Sequence, residues 1–429
     1  MANNFNRQFA ERVKELRASD VRELLKLLQV PGMISFAGGF PNPETFPVDL
    51  IRQIVDDVLK KDGPNALQYG ITEGYAPLRE AIADRMGKKG VDTPKDNVLV
   101  VTGSQQVIDL VGKVFIDPKD VVVVSSPTYL AALTGFSVYQ AGYESVPIDK
   151  EGIRMDQLED RMKKMGKRGR PPKLLYAVPN FLNPAGVTMP EKNRKKLVDL
   201  ASDYDFLILE DDPYGDLRYI GIHIRPVKAF DDEGRVIYMS TFSKILSPGL
   251  RVGWVVADAE ILRRMVIAKQ SSDVCTSVLS QRIAHEYLAR GLVDPQIEKI
   301  KKIYGRKLNV MLKGMDEFMP SGLNWIKPEG GMFLWVTLPE NVDSGDLLTR
   351  ALKKKVAFVQ GKAFFADPKD GRNTMRLNFT HPSDELITEG LRRLGSAVNQ
   401  EIISKWDKSA EAEEKQMADA VKGSLIGKS

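Results

Sequence analysis

Short apolar runs recur along residues 97–256 at spacings that leave room for a helix between them. Asn97–Thr102 (NVLVVT), Val121–Ser125 (VVVVS), Leu174–Val178 (LLYAV), Phe206–Glu210 (FLILE), Val236–Met239 (VIYM) and Gly253–Val256 (GWVV) are continuous rather than alternating. Such runs suit strands covered on both faces, as in a mainly parallel sheet. Helical patterning lies between them, for example over Gln105–Val114. The alternation predicts an α/β fold whose large domain holds a mainly parallel sheet between helices. A long helical region is expected over 259–318. Strands over Met332–Thr337, Val356–Val359 and Thr374–Asn378, mixed with helices, predict a smaller α+β domain.

The chain ends read differently. Residues 1–18 look like a lightly docked arm. Ser19–Gln29 reads as a short helix with Val21, Leu24, Leu25 and Leu28 on one face, ended by Pro31 and Gly32. Ser35–Pro47 (SFAGGFPNPETFP) reads as an ordered loop. After about residue 400 the chain is polar, and a frayed helix with a disordered end is expected.

Composition narrows the class. Hydrophobic residues make up 43% and charged residues 28%, the balance of a globular protein rather than a disordered or fibrous one. The net charge is only +5, and the basic residues are scattered among acids, which argues against a nucleic-acid face. The basic run Arg161–Lys173 reads as a solvated helix end and loop. One cysteine, Cys275, allows no internal disulfide and no multi-thiolate metal site. His223, His285 and His381 are scattered, so no metal is expected; His381 reads as a surface residue. No window approaches the ~20 apolar residues of a membrane span. The first residues carry charges where a signal peptide needs an apolar run, which makes the cytoplasm the expected compartment.

In an open α/β sheet, ligands collect beyond the carboxyl ends of the strands. The segments expected there are Gly103–Gln105, Asn180–Asn183, Asp211–Tyr214 and Thr241–Lys244. Taken alone, Lys244 reads as a solvated lysine. Its surroundings differ from that picture: Thr241 and Ser243 bring hydroxyls, Pro248 and Gly249 force a turn, and Arg251 follows. A lysine that condenses with an aldehyde needs a lowered pKa, which burial and nearby cations provide. Arginine also supplies a fixed charge for a phosphate.

STFSKILSPGLRVGW (240–254) resembles the lysine motif of the class I/II, fold-type I aminotransferases that use pyridoxal 5'-phosphate (PLP). Four further segments are similar to that family's motifs, in its order: TGSQQVIDL (102–110), PNFLNPAG (179–186), EDDPYGDL (210–217) and MRLNF (375–379). The resemblance covers about residues 15–400. It implies the PLP-dependent transferase fold type I, with a mixed, mainly parallel sheet. The implied division is an arm and part of the small domain over 1–50, a large domain over 51–305, the rest of the small domain over 306–400, and a polar tail over 401–429.

The resemblance also implies roles. Lys244 would hold the cofactor and shuttle a proton. Asp211 would face the ring nitrogen, Tyr214 and Asn183 the ring's phenolic oxygen, and Tyr129 the ring face. Ser104, Gln105, Thr241, Ser243 and Arg251 would hold the phosphate, with Tyr69 reaching it from a neighbouring subunit of a homodimer. Arg376 would bind the substrate α-carboxylate, with Asn183 and Gly39 beside it.

The fullest likeness is to the 2-aminoadipate, kynurenine and aromatic aminotransferases, through RASDVRELLKLLQ and SFAGGFPNPETFP. There an arginine matching Arg22 contacts a substrate's distal carboxylate; a solvated arginine is the plainer reading. The expected substrates are amino acids and 2-oxo acids such as 2-oxoglutarate, exchanged in two ping-pong stages. A PLP-dependent β-lyase or decarboxylase is the alternative reaction. A PLP-binding regulator module is the alternative class, disfavoured because only about 18 residues precede the region of resemblance.

Overall fold

The structure is a computed structural model that describes residues 5, 7–14 and 30–426, with side chains to 405. The expected helix over 19–29, with Arg22, lies outside the described residues. In chain order the strands are β1 (Ile34–Ser35), β2 (Val98–Val101), β3 (Val121–Ser126), β4 (Gly142–Asp149), β5 (Gly152–Ile153), β6 (Leu174–Ala177) and β7 (Leu207–Asp211). They continue as β8 (Val236–Thr241), β9 (Gly253–Val256), β10 (Asn324–Trp325), β11 (Phe333–Thr337), β12 (Val356–Ala357), β13 (Val359–Gln360) and β14 (Thr374–Asn378).

Eight strands form one sheet in the order β2-β9-β8-β7-β6-β3-β4-β5. Its centre, from β8 through β4, is parallel. β9 runs antiparallel to both its neighbours, and β5 closes the far edge as a hairpin with β4. The continuous apolar runs are explained by burial on two sides. Val122 and Val124 enter one apolar cluster, whereas Val123 enters the other. Leu174 and Tyr176 likewise face opposite to Leu175 and Ala177. β4 carries no such run, since its GYESVPID is half-buried and polar, and the apolar pattern did not reveal it.

The helices that cover the sheet and build the second layer are α1 (Val48–Ala66), α2 (Ala76–Lys88), α3 (Ser104–Phe115), α4 (Leu130–Ser137), α5 (Met155–Lys167) and α6 (Glu191–Asp203). α7 (Ala259–Gln270), α8 (Val278–Ala289), α9 (Val293–Phe318), α10 (Ser344–Lys353) and α11 (Asp384–Ile426) follow. The long helical region expected over 259–318 is thus three helices, broken near Ser271–Ser277 and at Gly291, which takes φ +67°. The stretch expected as a polar tail continues α11 to Ile426. The basic run lies on the exposed side of α5 and the turn after it, anchored by buried Met162 and Met165, with Arg161 paired to Glu144 and Lys163 to Glu159. Among the described residues no helix is long and apolar enough to cross a membrane.

The second sheet has the order β10-β11-β14-β13 and is antiparallel throughout. The single strand expected over Val356–Val359 divides in two: β12 pairs with β1, and β13 pairs with β14. Buried Phe358 separates them. β1 opens the loop expected over 35–47, so that loop is tied to the second layer by its first residue.

Candidate active site

The site grows from register. β9 lies between β2 and β8, and Gly253 is opposite both Val101 and Thr241. The segment after β2 and the segment after β8 therefore meet across one glycine. A Cβ at Gly253 would stand 2.8 Å from the Ser240 carbonyl and 3.0 Å from the Ser104 nitrogen, so only glycine fits. Gly103, at φ +77°, turns the chain into α3, whose first residues are Ser104 and Gln105. The free N–H groups and dipole of that 12-residue helix favour an anion at its start.

Thr241 is the last residue of β8, not the first beyond it, so the strand runs two residues past the apolar run that ends at Met239. Its Oγ1 caps the 3₁₀ turn Phe242–Lys244 by accepting from Ser243 N at 3.1 Å, and it lies 2.8 Å from Ser243 Oγ. Arg251, at φ +53°, is folded back so that its Nη2 donates to Thr102 O at 3.3 Å. Gly103, Ser104, Thr241, Ser243 and Arg251 thus form a cationic, donor-rich cradle.

Lys244 Nζ donates to Gly39 O at 3.0 Å. Burial, then Arg376 and Arg251, bring its pKa down to about 8, against the opposing pull of Asp211. Asp211 is the last residue of β7, not the first beyond it, and is 4% exposed. Its Oδ2 accepts from Tyr176 on the adjacent strand at 2.7 Å. Its Oδ1 is buried with no hydrogen-bond partner. Burial pushes this carboxyl up to about 7, and the Tyr176 hydrogen bond partly offsets that.

Arg376 sits at the middle of β14, opposite Trp335 and Val359. Its Nη1 donates to Asn183 Oδ1 at 2.9 Å and its Nη2 to Ala37 O at 2.8 Å. The Phe333 and Phe364 rings lie 4.2 and 5.0 Å from its Cζ. Burial lowers its pKa to about 10, which still leaves it charged at neutral pH. Its Nε is buried and unpartnered. Burial also raises Tyr129 to about 12 and Tyr214 well above its usual value, so both phenols keep their protons.

These groups face one cavity of about 480 Å³, lined by Gly39, Ser104, Gln105, Tyr129, Asn183, Asp211, Tyr214, Thr241, Ser243, Lys244, Arg251 and Arg376. Phe40, Leu130, Val178, Pro213 and Phe333 complete its walls and were not singled out from the sequence. Tyr69 does not line it: the side chain is 82% exposed at the surface. His381 is exposed and outside it as well. No cluster of potential metal ligands occurs among the described residues.

The model of the class I and II aminotransferase family matches residues 34–394. The chain belongs to this family. The aminotransferase is 49% identical over 400 residues to aromatic-amino-acid aminotransferase 1 of Thermococcus litoralis, a match spanning 93% of this chain and 96% of that one. It is 39% identical over 398 residues to the 2-aminoadipate transaminase of Thermus thermophilus, spanning 92% and 97%. Its structure matches that of Pyrococcus horikoshii kynurenine aminotransferase, solved with PMP, at TM-score 0.90 and 49% identity over 93% of this chain and 98% of that one.

The aminotransferase is therefore a PLP-dependent enzyme with the family's fold, and the cavity suits that cofactor. The orphaned Asp211 Oδ1 offers a buried acceptor for a protonated ring nitrogen. The cradle at Gly103 and Arg251 offers donors and charge for a phosphate. Lys244, between the two, offers a pKa-lowered amine.

Proposed function

We propose that this aminotransferase accepts aromatic L-amino acids, 2-aminoadipate or both, with kynurenine as a further donor, and passes the amino group to a 2-oxo acid such as 2-oxoglutarate in a ping-pong cycle. The observation that carries the reading is the buried Arg376, with a free Nε, in a cavity whose other walls include Phe40, Leu130 and Phe333. A carboxylate fits the guanidinium, and an apolar side chain fits the walls. The activities for which those relatives are named point the same way.

Bound PLP supplies an electron sink for charge at the substrate α-carbon. In this reading Lys244 would hold the cofactor, and its Nζ, as a pKa-lowered amine, would take and return a proton at the substrate α-carbon. Asp211 keeps the ring nitrogen protonated. Tyr214 and Asn183 would donate to the phenolic oxygen, and Tyr129 would lie against the ring. Ser104, Gln105, Thr241, Ser243 and Arg251 hold the phosphate. Arg376 fixes the substrate carboxylate, assisted by Asn183 and the Gly39 loop.

Two assignments reach beyond the described residues of a single chain. The exposure of Tyr69 supports a role on the phosphate of a second copy, with a homodimer sharing its sites. Arg22 is assigned to the distal carboxylate of acidic substrates. The test is a panel of amino donors with 2-oxoglutarate, run on wild type, Lys244→Ala and Arg22→Ala. Turnover of aromatic and acidic donors is expected in wild type and loss of all turnover in Lys244→Ala. For Arg22→Ala, kcat/KM should fall for acidic donors only. Wild-type turnover in Lys244→Ala overturns the mechanism; unchanged acidic-donor kinetics overturn the role of Arg22.

A further inference from the structure

Tyr176 lies on β6, where the neighbouring positions are Leu174, Leu175 and Ala177. A phenol in such a strand must find a partner, because an unpaired buried hydroxyl is costly. Tyr176 is fully buried, and its partner is Asp211 Oδ2 at 2.7 Å. The pairing follows from register: Tyr176 is opposite Leu209 on β7, two residues before Asp211, so both side chains lie on the same face of the sheet. The other carboxylate oxygen, Oδ1, is buried with no partner, in a residue that lines the cavity. One oxygen is thus tied to the protein's interior and the other is left for the ligand.

We propose that Tyr176 is a positioning residue for the PLP reaction: it holds Asp211 Oδ2 so that Oδ1 stays charged and aimed at the ring nitrogen. The inference rests on the reading that Asp211 faces that nitrogen. Burial and the neighbouring Asp212, just after β7, both favour the neutral carboxyl, whereas the Tyr176 hydrogen bond and Lys244 favour the charged one. Tyr129, before α4, and Tyr214, after β7, also lie within electrostatic reach, but both keep their protons and add no charge. Tyr176 is itself held in its protonated form by burial, so it always donates. Without that donor the balance tips: Asp211 holds its own proton to higher pH, and below that pH it is not a carboxylate that can accept a hydrogen bond from a protonated ring nitrogen.

The sign is definite. Loss of a bond that favours the charged form raises the Asp211 pKa, so cofactor binding weakens most on the acidic side and recovers as pH rises. The experiment is PLP affinity of the cofactor-free protein between pH 5.5 and 9, by fluorescence quenching, for wild type, Tyr176→Phe, Asp211→Asn and the double variant. Tyr176→Phe should weaken binding about 10-fold at pH 6.5 and shift the pH midpoint upward by about one unit, as for a hydrogen bond to a charged group. In the Asp211→Asn background the same change should have no pH-dependent effect. Replacing Tyr176 by 3-fluorotyrosine, which keeps the shape and strengthens the donor, should move the midpoint downward; this variant carries the test if Tyr176→Phe folds poorly. An unmoved midpoint in both Tyr176 variants, or an equal effect with and without the Asp211 carboxylate, overturns the proposal. If Asp211→Asn alone leaves PLP binding unchanged, the assignment of Asp211 to the ring nitrogen fails instead.

Discussion

Arg251 packs on the backbone of Gly103 so closely that a Cβ there would come within 2.3 Å of its Nη2. The same glycine stands at φ +77°, where side chains are disfavoured. Gly103→Ala would therefore strain the turn into α3 and displace the guanidinium from the proposed phosphate cradle. The expected result is a PLP dissociation constant raised at least about 10-fold, in line with one lost charged hydrogen bond. Equilibrium dialysis of the cofactor checks it, alongside thermal unfolding to read the cost of the backbone itself.

Lys244 should behave as an amine with a pKa near 8 in the cofactor-free protein. Condensation with an aldehyde needs the neutral amine, and the neutral fraction grows as pH rises toward the pKa. The rate of PLP loading should then rise about tenfold per pH unit below about 8 and level off above it. An exposed lysine would keep gaining reactivity to beyond pH 10. Stopped-flow absorbance over pH 6–10 separates the two cases.

Arg376 has the Phe333 and Phe364 rings within 5.0 Å of its Cζ and is bonded to Asn183 and Ala37. Lysine cannot reproduce that planar, forked arrangement. Arg376→Lys is expected to lower kcat/KM for amino-acid donors about 100-fold, chiefly through KM, while PLP content stays near wild type. Steady-state kinetics with a cofactor assay on the same sample tests the split.

Arg194 carries none of the chemistry yet holds the loop that presents Asn183. It is fully buried and donates to Met189 O, Ile224 O, Arg225 O, Pro179 O and Asn180 Oδ1. Asn180 in turn donates to Asp212 at 2.8 Å. Arg194→Ala strands several buried acceptors at once and should cost about 3–5 kcal/mol of stability. Urea unfolding of the cofactor-free protein would show it as a lowered midpoint.

Tyr69 is the sharpest test of a shared site, since its own cavity does not include it. Tyr69→Phe should weaken PLP binding about 10-fold if the hydroxyl of a second copy meets the phosphate. A concentration-dependent PLP affinity in wild type should accompany that loss.

Local sequence determined a good deal of this protein. Runs such as VVVVS and LLYAV specify strands because residues that alternate between two apolar faces must all be apolar. The residues with unusual chemistry were legible because they stand at strand ends and helix starts, where backbone donors are free: Ser104, Asn183, Asp211, Thr241 and Lys244. Tertiary structure decided what depends on pairing across distance. β4 escaped notice because its half-buried residues carry no apolar period. Val356–Val359 split because β1, over 300 residues earlier, claims its first half while β14 claims its second. The contact of Phe333 with Arg376 and the hydrogen bond from Tyr176 to Asp211 join residues on different strands, and strand register brings them together. Sequence set which groups the chain has at its strand ends. Packing set which of them share a cavity, how far burial moves their charges, and which oxygen of Asp211 is left free.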